Sequence, residues 1–88
     1  MDLPARPKLA RRARLQWDER DQKYFILYPE RGLALNPSAA EVVKLCDGSR
    51  SVDDIIHALA ETTRTPRETV SADVHAFLER LTEKKLIE

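Results

Sequence analysis

Lys23-Tyr24-Phe25-Ile26-Leu27-Tyr28-Pro29-Glu30-Arg31-Gly32-Leu33-Ala34-Leu35-Asn36-Pro37-Ser38 is the stretch on which the fold turns. Residues 23–28 are apolar and aromatic on both faces, a pattern that suits a strand with neighbours on either side rather than one at an edge. Pro29 holds φ near the value that the second position of a turn requires. Gly32 can take backbone angles closed to other residues, so Pro29 to Gly32 is expected to reverse the chain into a short strand over 32–35. At Asn36 the spacing of apolar residues changes from 2 to about 3.6, which marks the passage from sheet to helix.

Towards the N-terminus, Arg14-Leu15-Gln16-Trp17-Asp18 alternates polar and apolar residues and reads as a strand over 14–18, with Glu19 to Gln22 as its turn. Residues 1–12 carry Pro4, Pro7 and dispersed charge without either period, so a flexible basic arm is expected there, followed by one domain over 13–88.

Towards the C-terminus, three helices are marked by start signals as well as by spacing. Asn36 can cap the first, with Pro37 in a position whose amide would be unpaired anyway; it spans about 37–46 and ends near Gly48. Ser51 with Asp54 forms a variant capping box for the second, about 52–62. Thr65-Pro66-Arg67-Glu68 reads as a fuller capping box for the third, about 66–84, whose stripe includes Val70, Val74, Phe77, Leu78 and Leu81. The order is α+β: a three-stranded antiparallel sheet followed by three helices, with one sheet face covered by helical stripes.

The 88 residues, with a formal net charge of zero, suffice for one compact domain. Charge is uneven, about +4 over residues 1–14 and −4 over the rest, which pairs a basic arm with an acidic body. A lone cysteine, Cys46, excludes an intramolecular disulfide and sits in a helical apolar pattern, as a small core residue would. No apolar run approaches a membrane span or a signal-peptide core, and a cytoplasmic address is expected.

Chemistry is scarce. His57 and His75 lie on different predicted helices, and no pair of Cys or His residues has metal-ligand spacing. Asp53 and Asp54 are adjacent on a helix, point apart, and suit the positive end of its dipole. Two glycines leave no phosphate-cradling loop, and no nucleophile has an acid–base set. No catalytic residue, metal or cofactor is expected. The more telling feature is the apolar third strand, because an edge strand offers unpaired amides and carbonyls to an extended partner.

Pro29-Glu30-Arg31-Gly32-Leu33-Ala34-Leu35-Asn36, then Ser38-Ala39 and Leu45-Cys46-Asp47-Gly48, resembles the signature of the PqqD family. Pro7-x-Leu9 and Leu15-Gln16-Trp17-Asp18 before it, and Asp73-Val74 with Phe77-Leu78-x-x-Leu81 after it, are similar too, so the resemblance spans nearly the whole chain. It implies a winged helix-turn-helix-like peptide chaperone of pyrroloquinoline quinone (PQQ) biosynthesis. Such a protein is a recognition element for a ribosomally made, post-translationally modified peptide (RiPP), the precursor PqqA. The peptide is implied to add as a strand to the third strand, beside the third helix, and to be presented to the radical SAM enzyme PqqE. The iron–sulfur clusters belong to PqqE, in accord with a single cysteine here.

On this sequence the implied backbone partners are Gly32, Leu33, Ala34 and Leu35, and the implied helical lining is Val70, Asp73, Val74, Phe77 and Leu81. The same apolar helical positions would serve equally as plain core. A recognition element for another modified-peptide pathway shares this fold and is an alternative. A winged-helix DNA-binding module is another, but the third helix mixes Glu68, Asp73, Glu79 and Glu83 with Arg67, Arg80, Lys84 and Lys85 and offers no cationic face, so no nucleic acid is expected. A monomer is expected, with strand or arm exchange between copies as a further possibility.

Overall fold

The computed structural model describes residues 3–29 and 31–88. Three strands precede three helices: β1 (Arg14–Asp18), β2 (Lys23–Tyr28), β3 (Arg31–Leu35), α1 (Pro37–Leu45), α2 (Val52–Thr63) and α3 (Arg67–Glu83). The sheet is antiparallel in the order β1-β2-β3, so the strand with apolar side chains on both faces is the central one. The α+β expectation holds, with element ends within one or two residues of those read from the sequence.

The registers Leu15↔Ile26 and Ile26↔Leu33, with Trp17↔Tyr24 and Tyr24↔Leu35, put these residues on one face. The helices cover that face: Ile26 is fully buried and Leu35 nearly so, in one cluster with Val42, Val43, Cys46, Ile55, Ile56, Val74, Leu78 and Leu81. At its margin Trp17 meets Tyr24 edge to face with ring centroids 4.9 Å apart, and the Lys44 ammonium lies 4.6 Å from the centre of the Tyr24 ring. The opposite face carries Phe25, Leu27, Gly32 and Ala34, and none of the described elements covers it. Phe25, Leu27 and Gly32 there line an open hollow with Gln16 and the β1–β2 turn.

Two start signals act as read. The Asn36 carboxamide oxygen accepts from the Ala39 amide at 2.7 Å, and Ser51 and Asp54 exchange both hydrogen bonds of a capping box. The third does not. Pro66 is itself the N-cap of α3, no side chain caps that helix, and the Thr65 hydroxyl donates to the Thr63 carbonyl instead. Pro66 has ψ of 136°, so its backbone is still extended and the helix starts one residue later than the capping-box reading requires.

The β2–β3 turn is also tighter than expected. Tyr28 pairs with Arg31, so only Pro29 and Glu30 lie between the strands, and Glu30 falls outside the described residues. Gly32 is therefore a strand residue without positive φ. Its missing side chain serves packing: a Cβ there would lie 3.3 Å from Leu27 Cδ2.

The arm differs most from expectation. Residues 1 and 2 lie outside the described residues, but Lys8 and Glu88 exchange two backbone hydrogen bonds, and the Ala10 amide donates to the Leu86 carbonyl at 2.7 Å. Pro7 is buried and its carbonyl accepts from the Gly48 amide at 3.0 Å, while the Arg6 guanidinium donates to the Ser49 carbonyl. Residues 6–10 thus bind the α1–α2 loop to the C-terminus. Leu86 and Ile87, left without an element in the sequence reading, are buried beneath this ribbon.

Candidate peptide-binding edge

β3 ends the sheet. Its only strand partner among the described residues is β2, so the alternate amides and carbonyls on the other side of its backbone have no strand partner there. β1, the other edge, carries Arg14 and Asp18 at its two ends, charges that deter a further strand. Between Gly32 and Leu35 β3 carries no charge at all. Of the four β3 residues expected at the site, Leu35 is buried, Leu33 is half-buried on the helix-covered face, and Gly32 and Ala34 are exposed on the other.

α3 holds the five side chains expected beside that edge. Val70, Val74 and Leu81 belong to the core, with at most 8% of their surface exposed. As the structure stands they are a floor beneath the helix and not a surface that a partner touches. Phe77 is half-buried against the same core, and Asp73 is exposed. At 3.6 residues per turn, Asp73, Phe77, Arg80 and Lys84 follow one margin of α3. Ser71 and His75 lie on the other margin, where they line an open hollow with Arg67 and Glu68. α3 packs chiefly on α2, and α1 is the helix that packs on β2 and β3.

Cys46, Asp47 and Asp54 are each shifted from their ordinary titration range by local causes. The Cys46 thiol is pushed up to about 11, by burial first and by the neighbouring Asp47 carboxylate second, which removes its nucleophilic form at neutral pH. Asp47 is held below the ordinary carboxylate range by hydrogen bonds from Ser49 and by Arg50, and Asp54 by its capping bonds with Ser51. Both are structural roles. Among the described residues no three His, Cys, Asp or Glu side chains gather as metal ligands, and no helix is long and apolar enough to cross a membrane.

The family model described as Coenzyme PQQ synthesis protein D (PqqD) matches residues 23–87. A PqqA binding protein of Rhodopseudomonas palustris strain HaA2 is 46% identical over 80 residues, covering 91% of this chain and 78% of the relative. One from Gluconobacter oxydans is 38% identical over 78 residues, covering 89% and 81%. The chain also matches, at 35% identity and over 93% of its own length, 22% of a bifunctional coenzyme PQQ synthesis protein C/D of Methylorubrum extorquens.

Among solved structures, the PqqD truncation of Methylobacterium extorquens PqqCD, described as a functional, stand-alone RiPP recognition element, superposes with a TM-score of 0.81. It is 35% identical, and the match covers 93% of this chain and 87% of that one. TbiB1 in complex with the TbiA(beta) leader peptide has the same fold at a TM-score of 0.79 and 19% identity, covering 92% and 94%. The order of three strands and three helices is therefore that of a known fold, and the chain belongs to the PqqD family.

Proposed function

We propose that this chain is a peptide-binding module of PQQ biosynthesis, a chaperone and not a catalyst, which takes up the precursor PqqA as a fourth strand on β3 and presents it to PqqE. The observation that carries the reading is the uncharged outer edge of β3. Backbone hydrogen bonds along Gly32 to Leu35 supply affinity whatever the peptide's sequence, and alternate peptide side chains then meet the helix layer, where selectivity arises. Leu33 and Phe77 are the half-buried apolar groups available for that contact, and Val70, Val74 and Leu81 hold the helix in place from below. The names and descriptions of the relatives support the same reading, since they bind PqqA or act as RiPP recognition elements. A cytoplasmic setting and a monomeric chain accord with it.

Successive amides in a strand alternate between neighbour and solvent, so proline at one of the adjacent positions Leu33 and Ala34 deletes an outward donor. Calorimetric titration of Leu33→Pro and Ala34→Pro with synthetic PqqA is expected to show at least a tenfold loss of affinity in one of the two. Far-UV circular dichroism and amide dispersion should remain native-like in that variant. Wild-type affinity in both folded variants rejects strand addition at β3.

A further inference from the structure

The two faces of the sheet differ. On the helix-covered face the apolar side chains join the core, whereas Phe25 and Leu27, half-buried on the opposite face, neither belong to that core nor pack against it. This outer face is graded from strand to strand. Cα pairing sets Arg14 beside Leu27 and Gly32 in one row, and Gln16 beside Phe25 and Ala34 in the next. Across these two rows polar side chains stand on β1, large apolar ones on β2, and the smallest on β3 at the free edge, where both are exposed. The large side chains lean towards that edge: a Cβ on Gly32 would lie 3.3 Å from Leu27 Cδ2 and 3.8 Å from Phe25 Cδ2. Apolar surface therefore extends from β2 over the edge strand with little side chain in the way.

We propose that this strip is a second contact surface for the peptide: the residues of PqqA opposite Gly32 and Ala34, two positions apart, are apolar and fold back over β3 onto Leu27 and Phe25. The inference rests on strand addition at β3 and deepens it, adding a second face to the selectivity of the helix layer. Opposed residues of neighbouring strands point to the same face. A peptide strand that sends alternate side chains to the helices therefore sends the others over Gly32 and Ala34. β2 lies two strand spacings from such a peptide, about 9 to 10 Å, a gap that side chains reaching from both sides close when the strand between them is as slight as this one. The grading decides the occupant. A protein laid flat on the whole face must also cover Arg14 and Gln16, both exposed, whereas a side chain arriving across the β3 edge meets apolar surface first.

The test is calorimetry with the full chain, using wild type, Phe25→Ala and Leu27→Ala against synthetic PqqA and a set of PqqA peptides each carrying one alanine substitution. Thermal midpoints and amide dispersion serve as the control for folding. Each protein variant is expected to bind PqqA about five- to tenfold more weakly, from lost apolar contact. Wild type is expected to lose affinity at two peptide positions two apart, and each loss is expected to shrink in the variant that lacks its partner. In the wild-type complex, isotope-filtered NOE spectra are expected to join peptide side chains to the Leu27 methyls and the Phe25 ring, a readout that no variant's folding affects. Wild-type affinity in both folded variants, or a saturated complex without those NOEs, overturns the proposal. Concentration-dependent shifts of Phe25 and Leu27 without peptide assign the face to a second copy and overturn it likewise. If the proline variants at β3 still lose binding in that case, strand addition stands and only the outer contact fails. If the proline variants bind normally, the underlying reading has failed instead.

Discussion

At the scale of single residues, the same residue type carries different meanings that only neighbours resolve. Both glycines are read from the sequence as backbone devices; Gly48 is one, at φ +84°, whereas Gly32 makes room for Leu27. Cys46 is legible from sequence as core because its apolar spacing and lack of an acid–base partner are local facts. Its titration follows from burial. A thiol whose folded value lies near 11 and whose unfolded value lies near 9 keeps its proton longer in the native state. Its contribution to stability is therefore complete below about pH 9 and is lost as pH rises from there. Urea midpoints at pH 8 and pH 10.5 are expected to fall more for the wild type than for Cys46→Ala, and alkylation at pH 8 should require unfolding. Rapid labelling of the folded chain would show that the thiol is not shielded.

At the scale of elements, local chemistry is a dependable guide where one residue sets the boundary. Asn36 and Ser51 each satisfy an otherwise orphaned amide, so Asn36→Ala and Ser51→Ala are each expected to cost about 1 kcal/mol. Thr65→Ala is expected to cost almost nothing, since Thr65 caps no amide of α3. Equilibrium urea unfolding of the three variants checks the contrast, and a loss at Thr65 equal to that at Ser51 would mean that the capping box forms in solution. The misreading at Thr65 has a physical origin. Proline fixes φ near −65° but leaves ψ free, a φ that fits the extended backbone of Pro66 as well as a first helical residue, so the string Thr-Pro-Arg-Glu does not distinguish the two registers.

At the scale of the whole molecule, the N-terminal segment closes the domain. Its hydrogen bonds reach the α1–α2 loop on one side and residues 86–88 on the other, and Pro7 and Leu9 add apolar burial. Deletion of residues 1–10 is expected to remove about 2 to 4 kcal/mol, from lost hydrogen bonds and re-exposed apolar surface. That is a large share of the stability of a chain this size, and it predicts a fall in Tm of at least about 10 °C. An unchanged Tm would return the segment to the status of a free arm. What the sequence by itself determined is whatever depends on neighbours within a few positions: the change of period at Asn36, the central place of β2, two of three helix caps, and the uncharged run along β3. The docking of residues 6–10, the split of α3 into buried Val70, Val74 and Leu81 and the more accessible Asp73, Phe77 and Arg80, and the place of β3 with β2 as its one strand partner among the described residues were decided only by tertiary structure. Each of these depends on contacts between residues far apart in the chain, which periodicity and composition do not encode.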